Sequence, residues 1–201
     1  MIRYAGINLV REMTKFRLSW LVAVVLIAVA EIWRIYNYQH MIVPGLELVT
    51  ASTLVAAALL PRRAAVVVPL AIMAGGDMLI GNTAILFFTW SAFAAIGLAG
   101  LVLRRWQTNG RKLMLAGTGA GVVAAVFFFL YTNFGVWLLG DDTMYAKTWS
   151  GLVDCYIMGL PFYRANVLGN LVFVPLFLAV GSYAPALVAK LSRRPAEAPA
   201  S

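Results

Sequence analysis

The sequence predicts an all-α integral membrane protein: six transmembrane helices in a compact bundle, with an extra amphipathic helix on the outer side between helices five and six. Of its 201 residues, 62% are hydrophobic and only 12% are charged. The mean hydropathy of +0.85 is far above that of soluble domains. The net charge of +8 comes from small basic clusters between apolar segments, as in membrane proteins. Nucleic acid is therefore not expected as a partner.

Six apolar segments give the predicted spans. A helix needs roughly 20 apolar residues to cross the hydrocarbon core, and two of the segments are short. These two, joined by Pro61, Arg62 and Arg63, are either full spans buried inside the bundle or a re-entrant hairpin, and full spans are preferred. The predicted spans cover residues 18–35, 48–60, 64–80, 84–103, 113–139 and 167–187.

The distribution of lysine and arginine supports six spans. With six crossings nearly all basic residues lie on one face, leaving Arg34, Lys147 and Arg164 opposite. The positive-inside rule then predicts a multi-pass protein of the bacterial inner (plasma) membrane with both termini in the cytoplasm. Four or five spans would remove this asymmetry. The predicted division is a cytoplasmic amphipathic segment 1–17, a transmembrane domain 18–190 and a disordered cytoplasmic tail 191–201.

Costly polar side chains gather near the outer ends of the predicted spans. A charge at a helix centre costs on the order of 2.5 to 3.5 kcal/mol on insertion scales, so such residues face water, a partner or a ligand. A ligand cavity open to the outside explains this one-sided distribution, whereas the alternative is that helix ends simply lie near water. Glu31 and Arg34, three residues apart, are predicted to form a structural salt bridge. The predicted ligand-binding residues are Arg34, Glu47, Asp77, Asn133, Trp137, Tyr156, Arg164 and Asn166.

Between the fifth and sixth spans lies the stretch TWSGLVDCYIMGLPFYRAN, which is too apolar for an ordinary loop. Its apolar residues from Trp149 to Leu160 follow helical spacing. The pattern predicts an amphipathic helix across the outer mouth of the bundle, ended by Gly159 and Pro161. Such a helix is either a lid or a plain interfacial element.

The sequence carries no motif for enzymatic chemistry. There is no P-loop, HExxH or nucleophile elbow, so neither catalysis nor a cofactor is expected. The single cysteine, Cys155, excludes an intrachain disulfide and with His40 is only a weak candidate for metal binding. The pairs Gly117 with Gly121 and Ser19 with Ala23 have the small-xxx-small spacing that lets helices touch, within the chain or with a partner subunit.

Three stretches resemble a family of small bacterial membrane proteins of unknown function that are labelled as transport proteins. They are RIYNYQHMIVPGLELVTASTLVAAALLPRRAAVVVPLAIMAGGDMLIG, FFLYTNFGVWLLG and GLVDCYIMGLPFYRANVLGNLVF, and the resemblance covers residues 34–173. That family is similar to the substrate-capturing S-components of energy-coupling factor (ECF) vitamin transporters. The resemblance implies a six-helix bundle that binds its ligand from the outer side and docks on an energising module.

The resemblance also selects residues. This sequence departs from the family pattern at Asn170, where an aspartate is expected. The docking motif of the first helix is approximated only by Ser19 and Ala23. Some similar proteins work alone, among them cobalamin importers with a cysteine on cobalt, which is the variant that Cys155 suggests. The matching positions are Arg34, Glu47, Asp77, Asn133, Phe134, Trp137, Cys155, Tyr156, Pro161, Phe162, Arg164 and Asn166.

Two functions follow as expectations. The first is a substrate-binding transport subunit that captures a vitamin-like small organic solute, with membrane lipids around it and an energising transmembrane and ATPase module as a possible partner. It predicts that Asp77→Ala, Asn133→Ala or Arg164→Ala abolishes ligand binding. The alternative is a non-catalytic accessory or scaffolding subunit of a larger membrane complex.

Overall fold

The computed structural model describes the backbone of residues 2–81, 84–141 and 143–191, and side chains within 18–183 except at 82, 83 and 142. Asn82 and nearly all of the predicted tail lie outside the described residues. Within that part the regular structure is helical throughout. The elements are α1 (Ile2–His40), α2 (Val49–Leu59), α3 (Ala64–Ile80), α4 (Leu86–Gly100) with a short 3₁₀ helix (Leu101–Trp106), α5 (Gly110–Leu139) and α6 (Trp149–Leu191).

Successive helices from α2 to α6 run in alternating directions between two ends of the bundle. At one end, Gly100 of α4 packs against Ala57 of α2, and Gly110 of α5 faces Tyr183 of α6. We call this the arginine end, because the chain segments there carry Arg62, Arg63, Arg104, Arg105 and Arg111. The opposite end, where α3 and α5 finish and α6 begins, is called the cavity end.

Four helical stretches are long and apolar enough to cross a membrane, which marks the chain as membrane-protein-like. They are Leu18–His40, Leu86–Trp106, Gly110–Leu139 and Trp149–Tyr183. The described chain therefore supports the all-helical prediction, but six full spans are not shown, because α2 has only 11 residues and α3 only 17.

Helix α2 is an interior element of the bundle. Its 11 residues extend only about 16 Å, against the roughly 30 Å of a hydrocarbon core. All ten residues from Val49 to Ala58 are buried, since α3, α4, α5 and α6 all pack around it. A helix that is apolar on every side is stable only in such a setting. Its shortness therefore follows from a position inside the bundle.

Arg104 has a structural role besides its contribution to the positive charge of the arginine end. Its guanidinium donates hydrogen bonds to the carbonyl oxygens of Ala57 (3.1 Å) and Leu60 (2.6 Å). These carbonyls belong to the last turn of α2, where the helix itself provides no donor. A cation at a helix C-terminus also interacts favourably with the negative end of the helix dipole. Arg104 therefore ties α2 to the 3₁₀ helix.

The predicted separate amphipathic helix is wrong in one respect. Gly159 and Pro161 do not end a helix, because α6 runs without interruption from Trp149 to Leu191. Glycine and proline are strong stop signals where water can bond the freed backbone groups. In apolar surroundings unbonded backbone is far more costly, so membrane helices continue through such residues. The predicted amphipathic helix and the predicted sixth span are thus one element.

The small-residue pair in α5 is used inside the chain. A side-chain carbon added to Gly117 would lie 2.1 Å from Leu178 Cδ1, and one added to Gly121 would lie 3.0 Å from Val174 Cγ2. Both neighbours belong to α6 and are fully buried. Ala23 of α1 is buried as well. These faces are therefore covered by the chain itself.

Gly45 gives a prediction about the segment that joins α1 to α2. Its φ is +86°, and an added side-chain carbon would lie 2.5 Å from the backbone oxygen of Phe162. Gly81 has a φ of +87° with nothing within 4 Å of the same position. Gly81→Ala should lower the free energy of unfolding by about 1 kcal/mol, the cost of the positive φ alone. Gly45→Ala should cost at least about 1 kcal/mol more, because α6 backbone cannot move away.

The comparison is made by denaturant titration of both variants in the same detergent. Equal losses for the two variants would contradict the close contact between Gly45 and α6.

Candidate functional site

A cavity of about 560 Å³ lies at the cavity end, between α1, α5 and α6. Its floor is the segment from Pro44 to Glu47 that leads into α2, and Ile80 closes one side from α3. Cavities of this size hold small organic molecules in many proteins. Of the predicted ligand-binding residues, Arg34, Glu47, Asn133 and Asn166 line it.

Three helices each contribute one stripe of residues to the cavity wall. The positions are i, i+3, i+4 and i+7 in α1 and α6, and the same face extended by one residue in α5. This spacing places side chains on one face of a helix. The stripes are Arg34, Asn37 and Tyr38 from α1, with Met41 one residue past its end; Ala125, Phe128, Phe129, Thr132 and Asn133 from α5; and Gly159, Phe162, Tyr163 and Asn166 from α6.

Glu47 fixes the start of α2 and joins it to α6. Its carboxylate accepts hydrogen bonds from the backbone nitrogens of Val49 and Thr50 (the latter at 3.1 Å) and from the Thr50 hydroxyl at 2.7 Å. These are the first N–H groups of α2, which have no partner within the helix. Asn166 donates to the same carboxylate at 3.1 Å. Glu47 is therefore a helix cap whose oxygens are all occupied.

Asn166 extends this hydrogen-bond network into the bundle interior. Its side-chain oxygen accepts from Asn170 Nδ2 at 3.0 Å, and the same nitrogen of Asn170 donates to the carbonyl of Gly121 at 3.1 Å. Asn170 is only 1% exposed. Asn170, the position where the resemblance leads us to expect an aspartate, is thus a buried amide that joins α6 to α5.

Arg34 pairs with a residue of another helix. Its guanidinium lies 2.6 Å from Asp77 Oδ1, with the Asp77 side chain only 9% exposed. Asp77 Oδ2 also accepts a hydrogen bond from Trp90 Nε1 at 2.7 Å. The carboxylate thus connects α1, α3 and α4, and Asp77 itself does not line the cavity.

The predicted Glu31–Arg34 salt bridge is replaced by two contacts with α3. Glu31 accepts from the backbone nitrogen of Gly76 at 3.1 Å, while Arg34 approaches the carbonyl of Ile72 at 3.5 Å. Side-chain carbons added to Gly75 and Gly76 would meet Glu31 at 2.9 Å and Arg34 at 2.6 Å. The paired glycines therefore make room for both charged side chains, which is why Arg34 reaches α3.

Trp137, Tyr156 and Arg164 lie outside the cavity lining. Trp137 donates from its indole nitrogen to the carbonyl of Ala146 at 3.0 Å, and Lys147 donates to the Trp137 carbonyl. Together they hold the connection between α5 and α6. Tyr156 donates to the carbonyl of Leu130 at 2.9 Å and packs on Phe129. Arg164 is exposed.

Cys155 is a buried thiol that contacts α5. It donates to the backbone carbonyl of Asn133 at 3.3 Å and is 1% exposed. Across the described residues, no three histidine, cysteine, aspartate or glutamate side chains come together as metal ligands do. His40 instead contacts the carbonyl of Tyr36 in its own helix.

Most polar groups of the cavity are already bonded within the protein. Asn37 exchanges hydrogen bonds with Val43 and donates to the carbonyl of Leu46. Thr132 donates to the carbonyl of Phe128 at 2.7 Å. The cavity therefore presents mainly aromatic rings, with a few oxygen acceptors at its edge. Flat rings offer stacking surfaces to a ligand and little that would offset the desolvation of a net charge.

Asn37, Phe128, Phe129 and Thr132 are cavity residues that the sequence interpretation did not select. That interpretation considered charged and amide side chains individually and did not consider the helix face that they share with their neighbours. The signal that identifies Phe128, Phe129 and Thr132 is the helical repeat that leads to Asn133, and Asn37 follows Arg34 at the helical spacing of three residues. Trp90 was missed for another reason, since its bond to Asp77 requires knowing how α3 and α4 pack.

No curated protein and no solved structure matches this chain significantly. A family model does match, over residues 14–192, which include every helix from α2 to α5 and all of the cavity lining. The chain therefore belongs to a family of unknown function, DUF6580.

Proposed function

We propose that this protein is the binding subunit of a membrane transport system, and that the cavity takes up a small organic solute from the outer side. The observation that carries the proposal is the cavity of about 560 Å³ in a chain whose remaining surface is largely apolar. Pockets that are mostly apolar, with a few directed polar groups, are typical of small-molecule sites. The positive-inside rule puts the arginine end in the cytoplasm, so that the cavity opens outward.

The chemistry of the lining favours a ligand that is flat and either uncharged or weakly polar. Phe128, Phe129, Phe162 and Tyr163 supply rings from α5 and α6. The carboxylate of Glu47 and the guanidinium of Arg34 are occupied by the protein itself. Asn133 keeps hydrogen-bonding capacity on its side-chain oxygen, because the Cys155 thiol lies 4.0 Å from it and is closer, at 3.3 Å, to the backbone oxygen of Asn133.

The transport role is supported by the resemblance of residues 34–173 to membrane proteins labelled as transport proteins. The alternative, an accessory subunit without a ligand, gains less support. The small-residue faces that would suit a partner are occupied by α6 in the case of Gly117 and Gly121. An energising module would therefore dock on other surfaces.

The test is the small-molecule content of the gently purified protein, measured by native mass spectrometry. Phe162→Ala removes a half-exposed ring from the wall, and Asn133→Ala removes an amide whose nitrogen donates to the carbonyl of Phe129 within its own helix. We expect each to weaken ligand binding by about tenfold or more, equivalent to about 1.4 kcal/mol of binding free energy, and so to lower the ligand occupancy. Thermal unfolding of the same samples shows whether the fold is kept.

Arg164→Ala is the matched control, because Arg164 is exposed and lies outside the lining. Its ligand occupancy should equal that of the unaltered protein. Equal occupancy in all three variants would place the ligand elsewhere. A stoichiometric protein partner without any small molecule would favour the accessory subunit.

A further inference from the structure

A second hollow lies further along the same seam between α1 and α6. It is an open groove of about 440 Å³ nearer the arginine end. On α1 the cavity uses positions 34–38 and the groove positions 18–29; on α6 the corresponding positions are 159–166 and 176–181. The two hollows therefore follow one another along the bundle axis.

Their chemistry differs sharply. The groove is lined only by leucine, valine, phenylalanine and glycine. Both helices that form its sides belong to candidate membrane spans, Leu18–His40 and Trp149–Tyr183. Val25 and Val180 on its two sides are more than half exposed. The side chains of this groove cannot form hydrogen bonds with a polar group. The groove therefore suits an alkyl chain supplied by the bilayer.

The side chains of Leu46 and Phe173 lie near Gly169, between the two hollows along α6, and we call them the partition. Leu46 accepts a hydrogen bond from Trp33 of α1 at its carbonyl (3.0 Å), while its side chain packs over Gly169 of α6. A carbon added to Gly169 would lie 2.4 Å from Leu46 Cδ1 and 3.9 Å from Phe173 Cδ2. The partition therefore stands between a partly polar cavity and an apolar groove.

We propose that cavity and groove form one elongated site for an amphiphile with a flat, uncharged head and a single long alkyl chain. The head lies among the aromatic rings of the cavity, and the chain passes Leu46 into the groove. From Tyr38 to Val22 the seam is about 24 Å long, which suits a long chain. The proposal rests on the proposed function, because it names the ligand of the same cavity.

The test uses 4-hexadecylphenol carrying a photoreactive diazirine near the chain end, added to the full-length protein in lipid nanodiscs. We expect crosslinks in peptides that contain residues 18–29 and 176–181. An excess of 4-methylphenol, which has the head without the chain, should suppress them by competing for the cavity. A hexadecane diazirine without a head should label the groove far less.

Val25→Trp fills the groove and should lower labelling by about tenfold. Val123→Trp is the matched control, because Val123 is also more than half exposed, on α5, and belongs to neither hollow. Leu46→Ala widens the partition and should increase labelling, a gain that general destabilisation would not produce.

The outcomes separate the two proposals. If 4-methylphenol stabilises the protein thermally but does not compete with groove labelling, the cavity binds a ligand and the amphiphile proposal fails. Equal labelling by the headless probe would also overturn it, since the groove would then hold ordinary bilayer lipid. If 4-methylphenol neither stabilises nor competes, both the aromatic-ligand cavity and the amphiphile are excluded.

Discussion

Replacing Asp77 with alanine is expected to lower the free energy of unfolding by about 3 to 5 kcal/mol. The carboxylate is nine-tenths buried and lies 2.6 Å from the guanidinium of Arg34. Its loss leaves that cation in an apolar bundle and removes the acceptor of Trp90 Nε1. Breaking one side of a buried pair costs more than the pair contributes, because the remaining charge stays desolvated. Equilibrium titration with SDS in mixed micelles measures the change.

Two further variants make this expectation specific. Asp154→Ala removes an exposed carboxylate from α6 and should change stability by less than about 0.5 kcal/mol. The double variant Arg34→Met with Asp77→Leu removes both charges and should recover a large part of the loss. If Asp77→Ala were as stable as Asp154→Ala, the ion pair would have no structural role.

This expectation changes the interpretation of Asp77. The sequence predicted that Asp77→Ala abolishes ligand binding, as it would for a ligand-contacting residue. In the structure Asp77 lies behind Arg34 and outside the cavity lining. Any loss of ligand should therefore accompany a loss of the fold. Asn133→Ala and Phe162→Ala, which change the wall itself, are the variants that separate the two effects.

The helical segments could be predicted because a long run of apolar residues in the sequence reflects a segment that is buried or faces lipid. The predicted third segment, 64–80, coincides with α3. Helix α1 extends from Ile2 to His40, well beyond the predicted span 18–35, since the polar residues on both sides of the apolar run do not interrupt helical geometry. The ends of α6 were missed because Gly159 and Pro161 carry a different meaning in apolar surroundings. Periodicity locates a helix better than breaker residues delimit it.

Side-chain partners were harder to predict than helices. The rule that residues three apart pair on a helix led to Glu31 with Arg34, but it ignores what the neighbouring helix offers. Gly75 and Gly76 let both side chains reach α3, where Asp77 is the better partner for a cation. For the cavity, half of the predicted residues line its wall. Asp77, Trp137 and Tyr156 instead stabilise the packing and connections of helices, and Arg164 is exposed.

Glu47→Ala is expected to lower the free energy of unfolding by about 3 kcal/mol. The variant leaves the backbone nitrogens of Val49 and Thr50 and the amide of Asn166 without their acceptor. Helix α2 is buried, so water cannot replace these bonds. Asp141→Ala is the matched control, because Asp141 accepts a similar set of bonds from Thr143 and Met144 at an exposed turn. Its loss should cost less than about 1 kcal/mol.

The titration of Glu47 gives a second measurement of the same network. Burial raises the pKa of its carboxyl above the ordinary value of 4.5, although hydrogen bonds from Thr50, Val49 and Asn166 act in the opposite direction. The folded chain thus binds this proton more tightly than the unfolded chain. The resulting stabilisation is fully present below pH 4.5 and is lost as the pH rises through the folded pKa.

Glu47→Gln keeps an oxygen acceptor and does not titrate, so the free energy of unfolding should depend less on pH in this variant than in the unaltered protein. The difference should appear above pH 4.5, the ordinary value for the glutamate side chain. Identical pH profiles would mean that the Glu47 carboxyl is solvated in the folded chain. In that case the junction of α2 with α6 would be open to water, and the floor of the cavity would be less rigid than its hydrogen bonds indicate.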